Sequence, residues 1–528
     1  DGVAHGIERA HPLVDGREIR CEECHGGDPR ARSQSVAHVQ PPPGTDVYLR
    51  DMTHGELDSI DQDYLRFVNP GDLRVADQSC GCHQEILDTV MRSPMATSAG
   101  ELWPARWRAG AQGRPAAGLG IYDVVDDDLP EDPPFGAVAE LRGFSEPIVT
   151  EDERSVGPFQ DLFLSKECLG CHLWSFGDNR SPGLYRSSGC TACHMVYADD
   201  GLSRSDDPTI DRGAPPRPER HVLTKAIPTR QCLRCHNAPT GIGLAFVGMR
   251  QAGAPGTDPP SATPLGQALY GLAGDQLLVD EDGDATVDET PPDVHFEAGM
   301  HCIDCHVGAD VHGDGRIHSS AASAVTVTCE GCHGDADRTA DPEASEDLSI
   351  DADGSVWHTG RVDGVRRRVP QVSHSVAVAP LRSPVRDSMG RFPNGFSHTD
   401  SVACHTCHSA WIPTCHGCHV GVDLSLSQRS QITGWVTIGQ VETTPGTVRT
   451  DELVLMRDAR GRVAPSMPAE RLFVSASDGS GDQVLDRAIR RGPGGAPGFG
   501  QRAIQPHTVR RVGPFSPGKR GIPGRSPR

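Results

Sequence analysis

Apolar positions recur along this chain in short bursts broken by glycine and proline, a pattern that predicts many short elements and few long ones. Ile86, Leu87 and Val90 share one face at helical spacing, so a short helix is expected over residues 84–92. Residues 433–443 and 453–477 alternate apolar and polar positions in places, with Ala459-Arg460-Gly461 as a turn, as β-hairpins do. Asp351-Ala352-Asp353-Gly354 reads as a hairpin turn. Residues 101–160 are rich in Gly, Pro and Asp, which predicts loops around small strands, a shielding or docking insertion. The longest apolar run, 241–249, is half of the roughly 18 residues a membrane helix needs, so no transmembrane segment is expected.

Composition sharpens this picture. A chain of 528 residues would ordinarily form three or four domains, but hydrophobic residues are only 36% and aromatics 5%, with 60 Gly and 43 Pro. A core made of protein alone would be thin. Either much of the chain is disordered or something else supplies buried apolar surface.

The cysteines decide between these readings. All eighteen fall into nine pairs, and a histidine follows each pair at once. Eight pairs are regular Cys-x-x-Cys-His motifs: Cys21/Cys24/His25, Cys168/Cys171/His172, Cys190/Cys193/His194, Cys232/Cys235/His236, Cys302/Cys305/His306, Cys329/Cys332/His333, Cys404/Cys407/His408 and Cys415/Cys418/His419. Chance would supply on the order of 0.03 such motifs. The pattern is the attachment signal of c-type haem, in which two thiols add to the vinyl groups of one porphyrin and the adjacent histidine ligates its iron. The ninth, Cys80/Cys82/His83, is one residue short, which misplaces its thiols for the usual geometry. Haem c is therefore the expected cofactor at eight sites, with the irregular ninth as a further site. Structural zinc and disulfides compete for the same cysteines, yet neither asks for a histidine after every second one. Haem also answers the composition, since each macrocycle brings a large apolar face for side chains to cover. The last two motifs lie so close that the chain between them can span only about 35–40 Å, which makes electron exchange between neighbours the first functional reading.

Of the 24 histidines, nine lie in motifs, leaving fifteen as second axial ligands for nine irons. Bis-histidine ligation throughout is thus available, and an iron with six ligands passes electrons without binding substrate. The distal candidates are His54, His221, His295, His301, His312, His318, His358, His374, His398, His405, His416 and His507. His405 and His416 occupy x positions inside the last two motifs, where a side chain held beside its own haem can reach a neighbour's iron. Met95 and Met300 are either packing residues or ligands that would raise a potential. Asp280, Asp282, Asp284, the Thr286 carbonyl and Asp288 follow the spacing of a calcium loop, but Ala285 replaces its turn glycine and Pro291 its closing glutamate. Bound Ca2+ and a solvated acidic turn both remain open.

Taken together, the nine motifs resemble those of bacterial multihaem c-type cytochromes, from Cys21 to His419. The fold class that follows is mostly irregular and haem-cored, with short helices, a few β-hairpins and low regular secondary structure. The expected segments are a two-haem region at 1–100, a haem-free insertion at 101–160, a three-haem region at 161–250, and a two-haem region with the calcium-like loop at 251–345. A two-haem region at 346–425, a β-hairpin segment at 426–486 and a basic Gly/Pro-rich tail at 487–528 complete the chain. The resemblance implies electron transfer in anaerobic or extracellular respiration, with other redox proteins or extracellular acceptors as partners and self-assembly through haem edges as a variant. Its enzymatic alternative is a multihaem reductase or oxidase of a small nitrogen or sulfur oxyanion at one five-coordinate haem; the Cys-x-x-Cys-Lys motif of many nitrite reductases is absent. Thioether attachment is made outside the cytoplasm, so the resemblance implies an exported protein, periplasmic or at the cell surface, and a start at Asp1 suits a processed chain. The net charge of −22 argues against nucleic acid. From Arg487 onward there are ten Lys or Arg and no Asp or Glu, read either as a tail that docks on the acidic body or as a truncated or frameshifted end.

Overall fold

The computed structural model describes residues 9–43, 58–113, 116–150, 152–175, 177, 185–198, 200–208, 210–236, 293–409, 412, 414–449, 453–458, 460–468, 472–489 and 501–511. Short helices and small sheets dominate. Five motif sequences fold wholly or largely into a single turn: Cys21–His25, Thr191–His194, Cys302–Asp304, Cys329–His333 and Cys404–His408. A π-helical turn, Leu164–Cys168, leads into the Cys168 motif, a helical turn, Thr229–Cys232, leads into the Cys232 motif, and a tight turn, Gly81–His83, carries the irregular one. One helical turn sets residues i and i+3 on the same side, so both cysteines of a regular motif face one way with the histidine just beyond. The motif at 415–419 departs from this, because its backbone is extended within the strand Thr414–Arg429.

Several local expectations meet the structure. A helix runs Gln84–Val90, and strands Leu348–Ile350 and Val356–Thr359 pair across the 351–354 turn, where Gly354 takes φ +80°. Val454–Arg457 pairs with Val463–Pro468 as an antiparallel hairpin. The 101–160 region differs from loops and small strands alone. Its beginning lies in a ten-residue helix, Ala99–Arg108, which buries Leu102 and Ala105 against Ile121, Phe144, Leu164 and Leu169. The apolar face at Leu102 and Ala105 outweighs the Pro104 that interrupts the helix.

The largest apolar cluster belongs to a four-stranded sheet in the order Val436–Arg449, Thr414–Arg429, Leu472–Ser477, Gln483–Ile489. Val420, Val422 and Leu424 alternate inward along one strand, with Val420 opposite Val474 and Val422 opposite Ala476. They pack on Phe159 and Leu162 of the helix Val156–Phe163. Gly439, at φ +94°, passes so close to Leu162 that a β-carbon there would stand 2.6 Å from its side chain. Elsewhere the clusters are small: Leu65 with Val75, Tyr185 with Met195 and Tyr197, Ala340 with Leu348 and Val356.

Lys166 ties the Cys168 motif to this sheet. Its buried ammonium donates to the carbonyls of Thr437, Ile438 and Gly439 at 2.9, 2.9 and 2.7 Å. Lys166→Met would leave those carbonyls without their donor, and a destabilisation of about 2–3 kcal/mol is expected. A fall in the urea midpoint at constant slope checks it.

Candidate functional site

The motif histidines meet other histidines. Ring centres are 6.0 Å apart for His11 and His83, 5.9 Å for His25 and His221, and 5.9 Å for His194 and His312. His295 and His333 are 6.0 Å apart, and His306 and His507 6.2 Å. Each of these five pairs joins one motif histidine to one outside the motifs. Direct stacking brings rings closer, as for His419 on Phe473 at 4.5 Å and 6°. A metal–imidazole bond of about 2.0–2.1 Å plus about 1.1 Å from nitrogen to ring centre, taken on both sides, gives about 6.3 Å for two rings on one metal. The donor set and spacing therefore fit an iron held between two imidazoles.

Hydrogen bonds set the tautomers. Nδ1 of His25 donates to the Phe67 carbonyl at 2.7 Å, His194 to Thr224 at 2.8 Å, His333 to Pro370 at 2.8 Å and His408 to Arg510 at 3.1 Å. His11 donates to Pro12 at 2.8 Å. A carbonyl only accepts, so each Nδ1 carries the proton and Nε2 keeps its lone pair for a metal. Two rings instead face carboxylates: His306 Nδ1 lies 2.7 Å from Asp310, and His295 Nδ1 lies 2.9 Å from Asp293. The Asp310 hydrogen bond lifts the His306 pKa above its ordinary value. For His295 burial acts downward, but the hydrogen bond and charge of Asp293 outweigh it. Burial lowers His194, His312 and His333, which keeps those rings neutral as ligation requires.

The cysteines place the motifs in sequence along a file. Cys80 hydrogen-bonds Cys190, Cys232 bonds Cys302 and Cys329 bonds Cys404, always joining the first cysteines of two motifs. The hydrogen bond from its partner lowers the thiol of Cys80, Cys302 and Cys329, and raises that of Cys190, Cys232 and Cys404. Between these contacts, Cys24 feels the charge of Cys80, Cys232 that of Cys193, and Cys305 that of Cys332. The motifs ending at His25, His83, His194, His236, His306, His333 and His408 thus follow one another in space. The His172 motif stands beside the file, where the Leu173 N–H donates to the Met95 carbonyl and the Gly189 N–H to the Leu173 carbonyl. Cys329, Glu330 and Cys404 also bring three ligand atoms within 4.8 Å of one another.

Two cysteines differ from the regular pairing of thiols expected at every motif. Cys82 does not share a side with Cys80: it is exposed and lies near Arg17, whereas Cys80 bonds Cys190. The physical reason is the missing residue, since positions i and i+2 of a helical turn point to different sides. Cys82 is thus the weaker thioether position of the irregular site, and Cys80 the better placed. Cys235 departs in a different way, because the helix Thr229–Cys232 stops at the first cysteine of its motif. Instead, the Cys235 and His236 N–H groups both donate to the Cys232 carbonyl, at 3.2 and 3.0 Å, so a tight turn beyond the helix carries the second cysteine. Cys235 is half-buried there, and its charge adds to those that raise the Cys232 thiol.

Four of the expected distal histidines, His221, His295, His312 and His507, face motif histidines. His11, outside the expected set, does so too; like His221, it precedes a motif by roughly three helical turns' worth of chain, and that lead-in is the signal that points to it. The others lie elsewhere. His301 Nδ1 accepts the Thr229 N–H at 3.1 Å, His318 Nε2 lies 3.1 Å from Asp314, and His398 stands against Phe392 and Phe396. His358 is buried with neither ring nitrogen hydrogen-bonded, and His374 sits on the helix Val372–Val378. His405 differs from its expected role toward a neighbour's iron. Its ring is buried beside the Ile504 backbone, Arg462 and Asp458, and burial pulls it down to about 4. The Met300 N–H donates to the His295 carbonyl, closing a turn. His54, the loop from Asp280 to Asp288 with its Thr286, and the side chains of Cys415, His416 and Cys418 lie outside the described residues.

Glu101 stands beside Cys171 where the surrounding protein crowds it, and desolvation followed by that thiol's charge pushes its carboxyl from 4.5 up to about 7. A raised carboxyl favours the folded state at low pH, and that contribution is lost as pH rises from about 4.5 through about 7. Glu101→Gln is expected to flatten the stability profile across that window, read as urea midpoints at a series of pH values.

No helix among the described residues is long and apolar enough to cross a membrane. Comparison with protein-family models, curated proteins and solved structures finds no match to this chain.

Proposed function

We propose that the chain is an electron-transfer protein carrying c-type haem on its Cys-x-x-Cys-His motifs, with most irons held between two histidines. The observation that carries this reading is the set of five motif-to-outside histidine pairs, whose ring centres lie 5.9–6.2 Å apart. Haem would supply an iron that alternates between the ferric and ferrous states. The chain's own residues do the rest. Motif cysteines anchor, carbonyls and carboxylates orient the imidazoles, and paired histidines fill both axial positions so that no small molecule enters. The contacts between successive motifs bring neighbouring cofactors edge to edge, which suits passage of electrons along the file. In this reading the protein is exported, and its charge of −22 favours redox partners with basic contact surfaces.

A metal ion at Cys329, Glu330 and Cys404 is a weaker account, since a structural zinc site takes four ligands and this group offers three. Electron paramagnetic resonance of the oxidised protein separates carrier from enzyme. Low-spin signals with no stoichiometric high-spin haem are expected. A high-spin haem that binds nitrite, or CO once reduced, would favour the reductase instead.

A further inference from the structure

The carboxyl-terminal segment behaves as part of the haem-binding body. After the strand Gln501–Ala503 pairs with Val463–Pro468, the Ile504 N–H donates to the Pro465 carbonyl and the chain turns inward. His507 then faces His306 at 6.2 Å and 33°. Two residues on, the Val509 N–H donates to Asp293 Oδ2 at 2.8 Å, while Asp293 Oδ1 lies 2.9 Å from His295 Nδ1. The Val509 carbonyl accepts from the Val294 N–H at 2.9 Å. Arg510 follows: its carbonyl accepts from His408 Nδ1 at 3.1 Å, its N–H donates to the His408 carbonyl at 2.6 Å, and its guanidinium pairs with Glu297 at 2.6 Å.

We propose that residues 501–511 form a clasp that completes three consecutive haem sites, those of His306, His333 and His408. This rests on the electron-transfer reading above. His507 is the ligand opposite His306. Asp293, held by Val509, is a positioning residue for His295 and hence for the site of His333. The Arg510 carbonyl orients His408. One segment thereby links sites anchored far apart in sequence, and residues 501–511 of the basic end are explained as an integral strap rather than a loose tail. The Asp293 carboxylate also makes His295 a stronger electron donor, which lowers the potential of its iron relative to a site whose imidazole faces a carbonyl.

The test uses the full haem-loaded chain. In His507→Gly, haem content should stay at the wild-type value while one haem per chain becomes high-spin and, when reduced, binds CO; added imidazole should restore the low-spin signal. Asp293→Asn should keep every haem low-spin and raise the midpoint potential of one. If His507→Gly fails to accumulate, His507→Met reads the same site, because a thioether ligand raises the potential of a single haem. A His507→Gly protein that keeps its haem and stays wholly low-spin, or a His507→Met protein with unchanged potentials, overturns the clasp alone. A wild-type protein without haem overturns both the clasp and the reading beneath it.

Discussion

Made without haem, the chain is expected to lose its fold everywhere except around the four-stranded sheet. The reason lies in how the apolar side chains are distributed. Ordering a residue's backbone costs about 1–2 kcal/mol, which burial must offset. Around the sheet, Val420, Val422, Leu424, Val441, Val474 and Leu485 close on Phe159 and Leu162, and that cluster is large enough to persist. Around the motifs, Leu65 with Val75, or Ala340 with Leu348 and Val356, bury far less. Amide exchange on haem-free protein should therefore leave protection confined to Thr414–Arg429, Val436–Arg449, Leu472–Ser477, Gln483–Ile489 and Val156–Phe163. Haem-free protein protected through Gln62–Val68 and Cys329–His333 as well would mean that the protein supplies its own core.

The second large effect is expected from His312→Ala. His312 faces His194, whose motif lies inside the file, with the Cys80 motif on one side and the Cys232 motif on the other. Losing one axial imidazole should leave one high-spin, CO-binding iron per chain and raise its potential against its neighbours. For a one-electron centre each 59 mV changes the sharing of an electron about tenfold, so even a modest shift traps charge at that site. Stopped-flow reduction should show electrons arriving at the Cys329 and Cys404 haems at least about tenfold more slowly, by the same relation. An unchanged rate would place the His194 site off the path.

How much of this was legible in the sequence depends on the range of the interaction. Motif turns, the 351–354 turn and the 454–468 hairpin are set by residues within a few positions of one another, and local patterning found them. The split between Cys80 and Cys82 is equally local, since the short spacing alone sends the two thiols to different sides. The helix Ala99–Arg108 was hidden because glycine, proline and aspartate dominate the stretch around it. The histidine partners were not legible, since His25 meets His221 and His306 meets His507 across long stretches of chain, and no local rule selects among fifteen histidines. Position inside a motif misled at His405, whose ring turns to Ile504 and Arg462. The extended backbone at 415–419 follows from pairing with Val436–Arg449, a long-range effect that overrides the turn its motif forms elsewhere.

Covalent haem per chain is the quantity on which everything above depends. Pyridine haemochrome absorbance measured against protein concentration, on protein produced with haem-attachment machinery, gives it directly. The account predicts eight or nine haems per chain, nine if the Cys80/Cys82/His83 site is filled as its pairing with His11 favours. Purified protein with no covalent haem, or with zinc on its cysteines, would contradict it.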